Sequence, residues 1–295
     1  MYAAGIDIGG THIRIGLVDE QIRLSAFEQF SQKDVLEGNA PQRLAEFVAG
    51  YINKNAPGKV KTVCAAFPAT VDKNHATVLN APNISGFNGV NAKAVLQKKL
   101  GLPVHIEKDT NALLYYDLYK HKISPDGVTI AVYAGTGLGN AIYAGGRIFE
   151  GSNGAAGELG HIPVMDSGEP CSCGNTGCAE SFVGGKYLER LQSEAFPDTR
   201  LSEIFLKRSE HPLVEQFIRR LASVVAAEIN ILDPKTVILG GGVVSMRGFP
   251  EDKLAGYVRG YARKPLPEAK LKFIFSKNNG ENGVIGAGIT AWRQL

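Results

Sequence analysis

The stretch Ala3-Ala4-Gly5-Ile6-Asp7-Ile8-Gly9-Gly10-Thr11-His12-Ile13-Arg14-Ile15-Gly16-Leu17 decides the fold. Its apolar run stops at Gly9-Gly10-Thr11, after which Ile13, Ile15 and Leu17 alternate with His12, Arg14 and Gly16, the order strand, glycine turn, strand. The same order of parts returns at Thr129-Ile130-Ala131-Val132-Tyr133, Gly135-Thr136-Gly137-Leu138-Gly139 and Ala141-Ile142-Tyr143, with Gly135 lying 126 positions after Gly9. Two copies of one hairpin predict a duplicated architecture of two domains.

Outward from the first hairpin, Leu44, Phe47, Val48 and Tyr51 recur at helical spacing within Pro41 to Tyr51, Val60 to Phe67 is a buried strand, and Val90 to Leu100 is a second helix. Val104-His105-Ile106 is a short strand that runs into Glu107-Lys108-Asp109, with a helix over Thr110 to Leu118. Asp109 therefore stands at a strand-to-helix corner, a place where α/β proteins set ligand-facing residues. Beyond the second hairpin, residues 150–185 are an irregular stretch rich in Gly, Cys and Ser, and segments of that length inside domains are functional or metal-held. Helices follow at Lys186 to Ala195 and Pro212 to Leu232, the second ending at Asp233-Pro234. A strand Val237-Ile238-Leu239 enters Gly240-Gly241-Gly242, and after the strand Leu271 to Phe275 the tail Gly283 to Leu295 is helical.

Composition bounds the function. The 295 residues hold 32 Lys+Arg against 29 Asp+Glu, a formal net charge of +3, with 44% hydrophobic residues, an ordinary globular profile with chain enough for two cores. The basic residues are scattered among acids, so no nucleic-acid partner is expected. No run approaches the ~18 apolar residues of a membrane span, and MYAAGIDIGG carries no basic leader with an apolar segment, so no membrane partner and a cytoplasmic location are expected. Glycine, at 35 residues, is in excess and falls in short clusters, which fits loops whose backbone approaches a ligand.

Each glycine turn taken alone reads equally as a tight hairpin or as a set of backbone N–H groups facing phosphate oxygens. Two such turns, one per domain, are suited to hold a polyphosphate. Asp7, just ahead of the first turn, suits a water-mediated Mg²⁺ contact or caps the turn. No Walker A string occurs, and Gly135-x-Gly137-x-Gly139 lies between two strands rather than opening a helix, which disfavours a dinucleotide fold. Of four cysteines, three are crowded as Cys171-x-Cys173-x4-Cys178, and His161 ten positions upstream completes a Cys₃His set suited to structural Zn²⁺. Glu158, His161 and Glu180 bring donors and acceptors suited to adjacent sugar hydroxyls.

Together the strings Asp7-Ile8-Gly9-Gly10-Thr11, Glu107-Lys108-Asp109, Gly135-Thr136-Gly137-Leu138-Gly139, Gly157-Glu158-Leu159-Gly160-His161, Cys171 to Glu180 and Leu239-Gly240-Gly241-Gly242-Val243 resemble the ROK family of sugar kinases and repressors, in the right order from residue 5 to about 290. The resemblance implies an α/β, actin-like fold of the hexokinase and ribonuclease H type, with two domains and a central cleft. It places a small domain at residues 1–117, joined by a C-terminal helix at 280–295, and a larger one at 118–279 with the zinc knuckle and a homodimerisation surface. It also implies that Asp109 is the general base. Asn83, Asp109, Glu158, His161 and Glu180 are the implied sugar ligands, and His161 then serves both zinc and sugar. Asp7, Gly9, Gly10, Thr11, Gly135, Thr136 and Gly137 are the implied phosphate contacts, and Gly240, Gly241 and Gly242 the adenosine-side loop.

Two departures stand out. Lys108 replaces the family's usual Asn before the base, and Asn140 follows the second turn where Gly is usual. Thr11-His12-Ile13-Arg14, Phe67-Pro68-Ala69, Ala81-Pro82-Asn83 and Gly157 to Pro163 are most similar to bacterial allose kinases, with N-acetylmannosamine kinase and glucokinase as alternatives. The expected activity is ATP- and Mg²⁺-dependent phosphorylation of a free hexose at its 6-hydroxyl. A sugar-sensing transcriptional regulator is the rival reading, and it is disfavoured because the first phosphate strand begins at residue 3, leaving no expected room for a DNA-binding segment ahead of it.

Overall fold

Ile8 and Ile13 pair across the first glycine turn and close a hairpin of β1 (Tyr2–Ile8) and β2 (His12–Asp19) in the computed structural model, which describes residues 1–164, 167–277 and 279–295. The antiparallel strand β3 (Leu24–Ser31) extends β2, while β4 (Val60–Phe67) runs parallel to β1. A separate ribbon of β5 (Thr70–Val71) and β6 (Val78–Asn80) precedes β7 (Val104–Lys108), which lies parallel to β4 and completes the sheet order β3-β2-β1-β4-β7.

The central strands are covered on both faces, which is why they read as continuous apolar runs. Ala4, Ile6 and Ile8 of β1 and Val63, Ala65 and Phe67 of β4 join one core with Leu44, Val48, Tyr51 and Ile52 of the helix Ala40–Asn55. On the other face Ala3, Cys64 and Ala66 meet Ala112, Ala287 and Ala291, a layer of small side chains that brings the helix Asn282–Arg293 close to the sheet. Gly5 shows how close: a Cβ there would collide with the carbonyl of Val284 and the amide of Gly288.

The chain separates into two compact units, the first made of Met1–Ile123, Glu150–Ala156 and Asn279–Leu295, the second of Ser124–Phe149 and Gly157–Asn278. In the second, β8 (Val128–Ala134), β9 (Leu138–Ala144) and β10 (Arg147–Ile148) form consecutive antiparallel pairs. The strand β11 (Thr236–Gly240) lies parallel to β8 and to β12 (Lys272–Phe275). The resulting order β10-β9-β8-β11-β12 repeats the arrangement of the first sheet strand for strand. The helix Pro212–Leu232 packs Phe217, Leu221, Val225 and Ile229 into this unit's core and ends at Asp233, whose φ of 46° turns the chain ahead of Pro234.

Three local differences from the sequence reading have simple causes. The helix expected from Val90 starts at Ala92, because the Asn91 side chain caps it by accepting the Ala94 N–H at 2.9 Å. The irregular stretch contains short helical turns at Leu159–His161 and Glu180–Val183. The strand β3 had no counterpart in the reading, since a register shift opposite Ile15 to Leu17 and a left-handed Ala26 (φ 50°) break its alternation. Among the described residues no helix is long and apolar enough to cross a membrane.

Candidate active site

In the first unit the turn between β1 and β2 is closed by its own backbone, Gly9 N–H donating to His12 O at 2.8 Å, and Thr11 is held where its carbonyl accepts the Gln32 N–H at 2.9 Å. Gly10 and Thr11 are exposed. Asn83 stands over this turn: a side chain on Gly10 would lie 3.6 Å from the Asn83 Cβ. Asp7 does not cap the turn. Its Oδ2 accepts from Arg14 Nη1 at 3.3 Å across the hairpin, and burial raises the carboxyl's pKa against the lowering by Arg14.

Asp109 is the first residue of the helix Asp109–Lys120, directly after β7, and its Oδ1 accepts the Thr110 N–H at 2.7 Å. That bond fixes one oxygen of a half-buried carboxylate at the mouth of the strand. The preceding Lys108 is buried, and its ammonium donates to Ala156 O at 3.3 Å. Beneath them Glu107 Oε1 accepts from Lys108 N–H and from Asn111 Nδ2, both at 2.9 Å, so a buried carboxylate ties together the first turn that carries Asp109.

In the second unit the Gly135–Gly137 turn is pinned from behind. Gly185 N–H donates to Gly135 O at 2.7 Å and Lys186 N–H to Thr136 O at 3.0 Å, so the start of the helix Gly185–Ala195 clasps the turn. Glu180 braces the same turn, its Oε2 accepting the Leu138 N–H at 3.4 Å and filling the space a Cβ on Gly137 would need. The other oxygen of Glu180 faces the cysteines: Cys171 Sγ is 3.4 Å and His161 Nδ1 3.8 Å from Oε1.

His161 and the three cysteines converge. Cys171 Sγ lies 3.5 Å from His161 Nδ1 and Cys173 Sγ 3.7 Å from Cys178 Sγ, and all four ligand atoms fall within 4.8 Å of one another. Three thiols and one imidazole at that spacing fit a tetrahedral Zn²⁺. Burial, then the contact with Cys173, pushes the Cys178 thiol up to about 12, so ion capture has to displace its proton. The two ring nitrogens of His161 face different ways, Nδ1 toward the sulfurs and Nε2 toward Glu158 Oε2 at 3.8 Å. Gly240 ends β11, and Gly241 follows with φ 91° pressed against the Ala134 backbone, where Val243 N–H donates to Ala134 O at 2.9 Å.

Two polar clusters hold residues whose partners the sequence did not indicate. Asn140, the residue after the second turn, is buried and donates to Ala131 O and to Glu228 Oε2, each at 3.0 Å, and burial pushes Glu228 up to about 8. A signal existed, because Glu228 interrupts the apolar stripe Leu221, Val225, Ile229 of its helix. His75 and His105, with rings stacked at 4.3 Å, lie against Glu107. His75 sits in a loop without periodicity, so no pattern announced it.

Comparison with known proteins adds the lineage. The model of the ROK family matches residues 3–294. The N-acetyl-D-glucosamine kinase of Vibrio cholerae serotype O1 is 28% identical over 306 residues, covering 96% of this chain and 97% of that one. The glucokinase of Halalkalibacterium halodurans is 25% identical over 312 residues, covering 96% and 93%. The crystal structure of a ROK family glucokinase from Streptomyces griseus in complex with glucose and AMPPNP superposes with a TM-score of 0.82 at 27% identity, covering 100% of both chains. The duplicated α/β architecture is thus the actin-like fold.

Proposed function

The chain belongs to the ROK family, and on that premise we propose that it is an ATP:hexose 6-phosphotransferase whose hexose is D-allose. The observation that carries the reading is Asp109, a half-buried carboxylate on the first turn of a helix with Oδ1 fixed by the Thr110 N–H. Relatives named for N-acetyl-D-glucosamine and for glucose support the hexose class, and the motif strings at Thr11 to Arg14 and Ala81 to Asn83 support allose within it.

Asp109 accepts the proton of the 6-hydroxyl as that oxygen bonds to the γ-phosphorus and the bond to the bridging oxygen breaks, releasing ADP. Phosphoryl transfer asks chiefly for positioning and charge neutralisation, and the two turns at 9–11 and 135–137 supply backbone N–H donors for the phosphates. Asp7 would hold Mg²⁺ through water, and the ion would supply charge neutralisation for the phosphate oxygens. Gly240, Gly241 and Gly242 form the adenosine-side loop. Asn83, Glu158, His161 and Glu180 hold the sugar hydroxyls, with His161 Nδ1 given to structural Zn²⁺ beside Cys171, Cys173 and Cys178 and Nε2 left to the sugar. The assembly is a homodimer, a reading supported by family resemblance and checked by sedimentation.

A coupled assay of ADP release over allose, N-acetylmannosamine, N-acetyl-D-glucosamine, glucose, mannose and fructose tests the proposal. Turnover highest with allose, and absent with a 6-deoxy hexose, is the expected result. Highest turnover with another sugar of the panel reassigns the hexose, and no turnover with any favours the non-catalytic, sugar-sensing rival.

A further inference from the structure

Apart from the cysteine cluster, the first unit gathers a second set of metal-ligating atoms. His75, His105 and Glu107 each offer one ligand atom within 4.8 Å of the others. His105 Nε2 lies 3.6 Å and His75 Nδ1 3.8 Å from the same oxygen, Glu107 Oε2. The other carboxylate oxygen, Oε1, is already committed to Lys108 N–H and Asn111 Nδ2, which leaves Oε2 to face the two imidazoles. His105 is 6% exposed, and its Nε2 is fully buried with no hydrogen-bond partner among the described residues. The contact with Glu107 Oε2 is thus too long for a hydrogen bond, and the nitrogen and the oxygen face each other across the space a bridging ion would take.

We propose that His75, His105 and Glu107 form a second site for a divalent transition cation such as Zn²⁺, distinct from the cysteine knuckle. Two imidazoles and a carboxylate are the three-ligand set that Zn²⁺ takes when its fourth position stays open. Tetrahedral bonds of about 2.0–2.1 Å set ligands roughly 3.4 Å apart, so the two spans to Oε2 close by a few tenths of an ångström, while the two imidazole nitrogens lie within 4.8 Å of each other. The rings are stacked with 27° between their planes, so the ion also requires His75, a partly buried side chain, to turn. In turning, Nδ1 exchanges its contact with Ile106 O, at 3.2 Å, for the metal. In the present ring orientation His75 Nε2 stands 2.8 Å from Glu150 Oε1, so a carboxylate is at hand to orient a metal-bound imidazole and raise its basicity. A pocket lined by His75, Glu107, Lys108, Asn111 and Glu150 opens beside two of the three ligands, with room for about one water.

The test is stoichiometry by native mass spectrometry after chelation and reloading with Zn²⁺ alone or Co²⁺ alone. Cys173→Ser combined with Cys178→Ser dismantles the knuckle, and the chain is expected to keep one equivalent, with a Co²⁺ spectrum free of thiolate charge-transfer bands. His75→Asn combined with His105→Asn is expected to lose that equivalent in the otherwise unaltered chain. A single His75→Asn variant, which leaves the buried His105 in place, guards against a folding defect and is expected to weaken binding at least tenfold. Retention of the same metal count by the His75→Asn, His105→Asn chain, or no metal on the knuckle-less chain, overturns the proposal. Because the readout is metal content rather than turnover, its failure is separate from any failure of the kinase reading.

Discussion

Glu228→Gln isolates one buried charge. Burial lifts the Glu228 carboxyl from 4.5 to about 8, with the Asn140 amide opposing the rise at 3.0 Å. Between those values the unfolded chain has released the proton while the folded chain retains it, so the folded state binds more protons and wild-type stability falls as pH rises. Raising the carboxyl from 4.5 to about 8 amounts to about 5 kcal/mol, complete above pH 8, with about 3 kcal/mol developed at pH 7. Glutamine keeps the shape and the contact with Asn140 but carries no charge at any pH. Urea unfolding of both chains from pH 4.5 to 9, read by circular dichroism, is therefore expected to show the variant gaining on wild type at about 1.4 kcal/mol per pH unit and levelling off above pH 8. Every other titrating group cancels in the difference. A difference that does not change with pH refutes the reasoning, since it means that Glu228 is ionised in the folded chain throughout.

Three further outcomes are expected. Asp109→Asn folds and keeps the wild-type metal content but loses on the order of 10²–10⁴ in kcat, measured by ADP release; wild-type turnover removes Asp109 as the base. Cys173→Ala lowers zinc content and thermal stability together, and an unchanged metal assay dissolves the knuckle. Gly137→Ala displaces the Glu180 carboxylate that occupies the Cβ position and breaks its bond with Leu138 N–H. Because Glu180 is also a proposed sugar ligand, its displacement is expected to raise KM roughly tenfold, the loss of about 1.4 kcal/mol of sugar binding, and unaltered kinetics show that Glu180 does not hold the sugar.

The hairpins were legible in the sequence because two physical signals coincide there: apolar runs buried on both faces, and glycine turns between them. Pro212–Leu232 was legible for the same reason, with proline at its start, an apolar stripe along it and Asp233-Pro234 at its end. The Cys₃His grouping was legible as well, since three cysteines and a histidine so near in the chain have few ways to avoid one another. What pattern reading missed depends on distant partners. Nothing near Lys108 in the sequence says that its ammonium is spent on the carbonyl of Ala156. His75 and His105 are thirty positions apart, and only the fold stacks their rings. The Asp7 and Arg14 pairing was within reach, because a hairpin closed at Gly9 sets them opposite one another.

The helix Asn282–Arg293 has a consequence for biosynthesis. Residues made late supply a layer for residues made up to about 280 positions earlier: Ala287 and Ala291 cover Ala3 and Cys64, and the indole of Trp292 donates to Val18 O at 3.1 Å. During translation the opening strands must wait, one flank bare, until some 280 later residues have left the ribosome. The second unit, whose own stretches lie within positions 124–278, is under no such delay. Premature termination anywhere within Asn282–Arg293 thus strands an unclad sheet, and strands β1 and β2 are the part of the nascent unit most in need of a chaperone.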